Sequence, residues 1–168
     1  MINLSFVEED EPTGTAGSLK LIPGLDHTFL VMNGDLLTDL DFNALLDFHR
    51  EQKAVLTIGT HVRKVKLEYG LLELDGTRVV NYYEKPETVH HVSMGIYVYE
   101  PAALEFIPPG YFDFPTLVLK LLERKQRVCS YVTDCLWLDI GRPDDYARAQ
   151  QIFAGSPDPE SSSTIDRV

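Results

Sequence analysis

The sequence predicts an α/β protein in which three layers are formed by helices on both faces of a mixed β-sheet. Three observations predict this class. Runs of strand length alternate with amphipathic helical segments in the first half of the chain. A hairpin signal, Asp75-Gly76, separates two short strand-like runs in the middle, so some strands must pair antiparallel. The chain has 168 residues and is 44% hydrophobic, which is enough for one domain with a sizeable core.

Eight short runs have the length and composition of β-strands and are bounded by turn residues. They lie at residues 3–7, 28–33, 54–61, 71–74, 78–83, 92–99, 127–133 and 137–140. The apolar run over 28–33 predicts a buried strand, which the chain leaves by a turn at Asn33-Gly34. A helix-like segment follows Asp35, and His90-His91 is expected to lie in an exposed loop.

Four segments are expected to be helical. They are residues 18–22, which stop at Pro23-Gly24, residues 41–51, residues 113–125 and a final helix that begins at Pro143. Asp41 can cap the second of these helices, because a carboxylate at the N-cap accepts hydrogen bonds from free backbone N–H groups. Asp144 and Asp145 lie in the first turn of the last helix, where the helix dipole favours negative charge.

The folded domain is expected to comprise residues 1–154. From residue 155 onward Ser, Pro and Asp dominate, so residues 155–168 are predicted to form a flexible tail.

The formal net charge of −11 argues against nucleic acid and anionic membrane surfaces as main partners. No apolar stretch approaches the roughly 20 residues that span a bilayer, and no basic-then-apolar leader precedes the fold. The only cysteines, Cys129 and Cys135, match no zinc or redox motif and are expected to be reduced. These features predict a cytoplasmic location.

Two carboxylates, Asp35 and Asp139, follow strand-like runs that are far apart in the chain. Ligands bind at the carboxyl ends of strands in open α/β sheets, and Mg²⁺ is typically held by one or two carboxylates with phosphates and water. The pair therefore predicts a magnesium site for a phosphorylated substrate. The alternative is that Asp35 caps a turn and Asp139 pairs with Arg142.

A second group of candidates could contact a phosphorylated sugar. Lys85, at a strand end and fixed by the following Pro, can present a point charge to a phosphate, and Glu84 can accept hydrogen bonds from sugar hydroxyls. Gly70 and Gly95 allow a ligand to approach the backbone closely. The alternatives are a solvated Glu-Lys pair, the opening of the hairpin at Gly70 and a β-bulge at Gly95.

The segment Gly14-Thr15-Ala16-Gly17 is the last candidate. Its small residues could let a flat ring approach the backbone, and a flexible surface loop is the alternative. No P-loop, no GxGxxG and no Ser-His-Asp or Cys-His constellation occurs in the sequence.

Taken in order, these elements resemble the sugar-phosphate nucleotidylyltransferases, also called nucleoside-diphosphate-sugar pyrophosphorylases. The matching pieces are Gly14-Thr15-Ala16-Gly17, Asn33-Gly34-Asp35, Tyr69-Gly70, Glu84-Lys85-Pro86, Met94-Gly95-Ile96-Tyr97 and Trp137-Leu138-Asp139-Ile140-Gly141. The resemblance runs from about Leu4 to Phe153. It implies a Rossmann-like, GT-A-like fold and the transfer of a nucleotidyl group from a nucleoside triphosphate to a sugar 1-phosphate, with release of pyrophosphate.

The resemblance also implies a role for each matching residue. Asp35 and Asp139 would hold Mg²⁺, and Lys85 would bind the phosphate of the sugar phosphate. The sugar pocket would be lined by Glu84, Gly70 and Gly95. The base would be contacted by Gly14, Thr15, Ala16 and Gly17. Guanosine with mannose or heptose, thymidine or cytidine with glucose, and uridine are all compatible with the pattern, including mannose-1-phosphate guanylyltransferase-like and glucose-1-phosphate thymidylyltransferase-like enzymes.

The family's early G-x-G-x-R loop and its downstream Pro-Lys-Pro have no counterpart in the sequence. The resemblance therefore predicts an N-terminally truncated domain with an interrupted sheet, an incomplete nucleotide site and impaired or absent activity. An exposed sheet edge would allow homo-oligomers to form. Two other hypotheses are a catalytically silent domain that binds a sugar phosphate or a partner chain, and a nucleotide-sugar glycosyltransferase. The Glu84-Lys85-Pro86 motif and the segment at residues 137–141 disfavour the glycosyltransferase.

Overall fold

The structure, a computed structural model, describes residues 3–154, which form eight strands and four α-helices. The strands are β1 Phe29–Met32, β2 Leu36–Thr38, β3 Leu56–Lys66, β4 Leu71–Asp75, β5 Arg78–Tyr83, β6 Glu87–Tyr99, β7 Val128–Thr133 and β8 Trp137–Asp139. The helices are α1 Gly14–Gly17, α2 Phe42–Gln52, α3 Phe114–Glu123 and α4 Pro143–Phe153, with 3₁₀ turns at Ser18–Leu21 and Pro101–Phe106. The predicted tail lies outside the described residues.

The described chain divides into two compact units. The first contains the residues up to 32 and residues 41–134, and the second contains residues 33–40 with the residues from 135 onward.

The first unit is built on a mixed four-stranded sheet in the order β1-β6-β3-β7. The strand β6 pairs antiparallel with both β1 and β3, whereas β3 and β7 are parallel. The parallel pair requires a long crossover, which here contains β4, β5, β6 and α3. The mixed sheet predicted from the sequence is therefore confirmed, and β1 lies at one edge of it among the described strands.

Helices cover both faces of this sheet. On one face the buried side chains of Leu56, Tyr97 and Tyr99 form one core with residues of α1 and α3. On the other face α2 places His49, which is only 1% exposed, against Thr57, with His49 Nδ1 2.8 Å from Thr57 Oγ1. Because Leu56 and Thr57 point to opposite faces of β3, the two contacts establish three layers.

The buried imidazole of His49 also contacts Glu100, the residue that follows β6. Its Nε2 lies 3.1 Å from Glu100 Oε1, and the same oxygen accepts a hydrogen bond of 2.7 Å from Thr28 Oγ1. Every polar atom of this buried group therefore has a partner, as burial requires.

The helix starts follow the predicted capping chemistry. Asp41 accepts hydrogen bonds from the N–H groups of Asn43 and Ala44 at the start of α2. Pro143 begins α4, and Asp144 and Asp145 lie in its first turn. The hairpin at Asp75-Gly76 is also confirmed, since β4 pairs antiparallel with β5.

The second unit is built on the antiparallel pair β2–β8, against which α4 packs. Leu138 in the middle of β8 is fully buried. No helix in residues 3–154 is both long and apolar enough to cross a membrane.

Four local predictions are wrong. Residues 3–7 have no regular structure, because no described strand pairs with them. Residues 36–38 are a strand rather than a helix, because β8 supplies their hydrogen-bond partners. His90 and His91 lie in β6, where pairing with β3 extends the strand beyond its apolar part. β1 is only half-buried, because Phe29 and Val31 pack against the core whereas Leu30 and Met32, on the opposite face of the strand, are each 37% exposed.

Two adjacent leucines on α3 provide a test of this core. Leu121 is fully buried, whereas Leu122 is 52% exposed. Leu121→Ala is expected to lower the free energy of unfolding by about 2–5 kcal/mol, because it removes buried methyl groups and leaves a cavity. Leu122→Ala is the matched control and is expected to cost less than about 1 kcal/mol. Urea denaturation measures both, and equal losses would contradict the assigned orientation of α3.

Candidate functional site

Asp35 and Asp139 are brought together by the antiparallel pairing of β2 with β8. Leu36 lies opposite Asp139 in this pair, and Ile140 N–H donates a hydrogen bond of 2.9 Å to the carbonyl oxygen of Asp35. The two aspartates therefore occupy neighbouring positions at the same end of a two-stranded ladder. The two aspartates therefore lie close together within one unit of the structure, as expected from the sequence.

The carboxylates of the two aspartates converge at Gly141. Asp139 Oδ1 and Asp35 Oδ2 each lie 3.1 Å from the position that a Cβ atom on Gly141 would take. The two oxygens are therefore no more than about 6 Å apart, close enough for both to serve one hydrated cation with oxygen ligands.

Backbone hydrogen bonds hold Asp139 in place. Gly141 N–H donates to Asp139 Oδ1 over 3.1 Å, and Asp139 N–H donates to Asp145 Oδ2 over 3.3 Å. Arg142 meets Asp139 through its backbone N–H, which donates to the Asp139 carbonyl oxygen over 2.9 Å. Within residues 3–154 there is no ion pair between the Asp139 and Arg142 side chains, so that alternative is wrong.

The chemistry of this pair fits a magnesium ion. Carboxylate oxygens are hard ligands, and Mg²⁺ is usually held by one or two of them while phosphates and water complete its shell. No group of three or more His, Cys, Asp or Glu side chains in residues 3–154 forms a metal cage. The pair therefore fits a site in which two protein carboxylates and the phosphates of a substrate bind the metal together. It fits less well a site in which the protein supplies every ligand.

Lys85 has a strained backbone. Its φ is +43°, in the left-handed region, although it is not glycine and precedes a proline, which favours extended backbone. The side chain is exposed and forms no ion pair with a described residue. Glu84 and Lys85 are thus both solvated, as the alternative from the sequence expected, but they form no ion pair with each other.

Tyr82 connects two of the predicted sugar-pocket residues. Its Oη donates a hydrogen bond of 2.8 Å to Glu84 Oε2, and a Cβ atom on Gly70 would overlap the Tyr82 ring and hydroxyl. The Glu84 carboxylate raises the pKa of Tyr82, because the hydrogen bond favours the neutral phenol. A larger residue at position 70 would therefore require the exposed Tyr82 side chain to move, and Gly70, Tyr82 and Glu84 belong to one cluster.

The segment Gly14–Gly17 is explained largely by internal packing. Ala16 and Gly17 N–H groups both donate to the Phe112 carbonyl oxygen over 2.9 Å, and a Cβ on Gly14 would lie 2.8 Å from that oxygen. Thr15 N–H donates to Asp113 Oδ1 over 3.2 Å. Ala16 and Gly17 are buried, which leaves Gly14 and Thr15 as the accessible part of the segment.

Gly95 lies in a bulge of β6, as the structural alternative proposed. The register with β3 shifts between Ile58 and Thr60, and Gly95 is buried with φ at +75°. A residue with a side chain would be strained there, so the backbone alone accounts for this glycine.

The predicted site residues thus fall into separate groups. Asp35 and Asp139 form a pair in the second unit, and the other candidates lie in the first. Sequence reasoning missed three contributors, namely Gly141, Asp145 and Tyr82. A signal existed for Tyr82, since residues two apart on a strand share a face and Tyr82 is two residues before Glu84. The sequence carried no comparable signal for the contact between Asp139 and Asp145.

Known proteins are similar to this chain in sequence and in fold. The sequence model of the Nucleotidyl transferase family matches residues 1–155. The UTP–glucose-1-phosphate uridylyltransferase of Synechocystis sp. is 34% identical over 149 residues, which is 81% of this chain and 38% of the relative. The mannose-1-phosphate guanyltransferase of Yarrowia lipolytica is 29% identical over 163 residues, 92% of this chain and 45% of the relative. The chain thus spans less than half the length of these two curated relatives.

Solved structures agree with the sequence matches. HddC from Yersinia pseudotuberculosis, in a complex with GMP-PN, superposes with a TM-score of 0.62 at 26% identity over 88% of this chain and 66% of that chain. The match confirms the mixed-sheet α/β fold.

The strain at Lys85 has a measurable consequence. Lys85→Gly is expected to be more stable than Lys85→Ala by about 1 kcal/mol, because only glycine adopts a left-handed backbone without a steric cost. Lys64 lies in an extended strand and provides the control, where the alanine variant should be the more stable of the two. Urea denaturation of the four variants measures the difference in stability between glycine and alanine at each position. If glycine and alanine rank in the same order of stability at positions 85 and 64, the backbone at Lys85 is not strained.

The bond between Tyr82 and Glu84 can be tested by titration. Glu84→Gln is expected to lower the pKa of Tyr82, because the negative acceptor that stabilises the neutral phenol is removed. The pKa of Tyr111 is raised by Asp113 and serves as the internal control, which the substitution should leave unchanged. Carbon-13 NMR titration of labelled tyrosine rings measures both, and an unchanged Tyr82 would show that the hydrogen bond is absent in solution.

Proposed function

The chain belongs to the nucleotidyl transferase family, and on that premise we propose that it transfers a nucleotidyl group to a sugar 1-phosphate. A phosphate oxygen of the sugar 1-phosphate forms a bond to the α-phosphorus of a nucleoside triphosphate. The bond from that phosphorus to the oxygen bridging to the β-phosphate breaks, and pyrophosphate leaves. The products are a nucleoside-diphosphate sugar and pyrophosphate.

The convergence of Asp35 and Asp139 carries this proposal. Nucleotidyl transfer depends on alignment and charge neutralisation more than on covalent help from the protein. Both carboxylates face the same space beside Gly141. They would hold Mg²⁺, which when bound neutralises phosphate charge and orients the phosphates. The Gly141 N–H donates to Asp139 Oδ1, and Asp145 accepts a hydrogen bond from the Asp139 backbone N–H, which supports a role for Asp139 as a ligand.

Lys85 is the proposed phosphate ligand for the sugar 1-phosphate. Its ammonium group has no ion-pair partner among residues 3–154, so its charge is available to a ligand. Its left-handed backbone is not specific to this role, because Lys53 and Lys125 at the ends of α2 and α3 also have positive φ. A lysine presents a compact charge that suits a terminal phosphate.

Glu84 is the proposed acceptor for sugar hydroxyls, and Tyr82 orients it. The Tyr82 hydroxyl occupies Glu84 Oε2, so Oε1 is the oxygen that a sugar hydroxyl would reach. Gly70 would border the same pocket, and Gly95 would contribute through its backbone. The base would contact Gly14 and Thr15, since Ala16 and Gly17 are buried.

The names of the relatives guide the choice of substrates. Two of them are named for the pairs UTP with glucose 1-phosphate and guanyl transfer with mannose 1-phosphate. We propose that this chain takes one of these pairs and acts in the cytoplasm. Homo-oligomers could form through the edge strand β1. A catalytically silent domain that binds a sugar phosphate or a partner chain remains the second hypothesis.

Substitution of the two aspartates tests the proposal. Asp35→Asn and Asp139→Asn are each expected to reduce pyrophosphate release by at least about 10²-fold, because charge stabilisation of the reacting phosphates is lost. Asp144→Asn is the matched control, since Asp144 is an exposed carboxylate of the same unit. The assay uses the purified chain with Mg²⁺, GTP or UTP, and mannose or glucose 1-phosphate.

Three outcomes separate the hypotheses. If Asp35→Asn and Asp139→Asn both lose pyrophosphate release and Asp144→Asn keeps it, the transferase hypothesis is supported. Saturable binding of a sugar 1-phosphate by calorimetry without pyrophosphate release supports the silent domain. Neither binding nor release with any substrate pair would refute both.

A further inference from the structure

Gly141 is a glycine that its backbone conformation does not require. Its φ lies outside the left-handed region, unlike that of Gly76 or Gly110. The residue is exposed and stands two positions before Pro143, at the entrance to α4. An alanine could adopt this backbone without steric strain, so the reason for glycine must lie in the space around it.

The space beside Gly141 is bounded by carboxylates. The three atoms nearest to a Cβ there would be Asp139 Oδ1 at 3.1 Å, Asp35 Oδ2 at 3.1 Å and Asp35 Cγ at 3.9 Å. All three belong to the proposed metal ligands. A methyl group would therefore be in close contact with both carboxylates.

The backbone of Gly141 acts on the same group. Its N–H donates to Asp139 Oδ1 over 3.1 Å, so one face of the residue orients a carboxylate while the other leaves the space beside it open. Groups that orient a ligand carboxylate in this way contribute to metal affinity without touching the metal.

We infer that Gly141 is a positioning residue for the divalent cation, selected because its missing side chain keeps the space between Asp35 and Asp139 open. The inference rests on the proposed function, since it concerns the same metal. It adds a determinant of metal affinity that is not itself a ligand.

The substitution Gly141→Ala is expected to change the affinity for the metal but not the stability of the metal-free protein. The Asp35 carboxylate is exposed, so it can rotate away from a new methyl group. Asp139 Oδ1 is equally close but needs to move by only a few tenths of an ångström, which its 3.1 Å hydrogen bond from the Gly141 N–H can absorb. An alanine also restricts the unfolded chain, which favours folding. Gly141→Ala should therefore leave the metal-free protein as stable as before, although a purely structural glycine would lose stability on substitution.

The test measures binding of Mn²⁺ to the full chain, since carboxylate and water ligands suit both Mn²⁺ and Mg²⁺. Paramagnetic broadening of the backbone amide resonances of residues 139–142 reports occupancy at this site, and no enzymatic activity is needed. Gly141→Ala is expected to weaken Mn²⁺ binding by about 10–100-fold. The melting temperature in EDTA should match that of the unsubstituted chain.

Gly34→Ala is the matched control. Gly34 lies next to Asp35 in the same unit, its φ is also outside the left-handed region, and a Cβ there would meet no atom within 4 Å. Its Mn²⁺ affinity is expected to stay within about twofold of that of the unsubstituted chain, because the space between the carboxylates is unchanged.

The outcomes distinguish the inference from the proposed function. If Asp35→Asn weakens Mn²⁺ binding and Gly141→Ala does not, the role of Gly141 is overturned, whereas the metal site itself is supported. No broadening at residues 139–142 in the unsubstituted chain would overturn both. If the metal-free Gly141→Ala variant is less stable but its folded form binds Mn²⁺ with unchanged affinity, Gly141 has a structural role only, and the inference is overturned.

Discussion

The pairing of β6 with both β1 and β3 is the interaction on which the first unit depends. β6 supplies the middle of the sheet, and its buried half contributes Tyr97 and Tyr99 to the core. A long strand that must pair on both edges needs a local correction of register, which the bulge at Gly95 provides. Through its pairing with Ile96, the same strand determines where β1 ends and where the chain leaves the sheet toward Asn33-Gly34-Asp35.

Three glycines, two in the first unit and one in the second, serve three different physical purposes. Gly95 allows a left-handed backbone at the bulge. Gly70 leaves room for the ring of Tyr82, and Gly141 leaves room between two carboxylates. All three match family motifs in the sequence, yet only the neighbouring atoms show whether a glycine serves the backbone, the packing of a side chain or the space for a ligand.

The residues proposed for function in each of the two units have features that cost stability and that function could explain. Asp35 and Asp139 place like charges around one small space. Lys85 has a backbone conformation that L-residues avoid. These features contrast with the buried contact of His49 with Thr57 and Glu100, in which every polar group has a partner and stability alone is a sufficient explanation.

The sequence by itself determined the fold class, most of the helix and strand positions, and the two aspartates as a pair. Local chemistry suffices for these, since the cap at Asp41, the turn at Asp75-Gly76 and the apolar periodicities act over a few residues. The tertiary structure alone decided that residues 36–38 form a strand, because their partner β8 lies about a hundred residues further along the chain. It also decided that Gly141 faces both carboxylates, because Asp35 and Asp139 come together only after β2 has paired with β8.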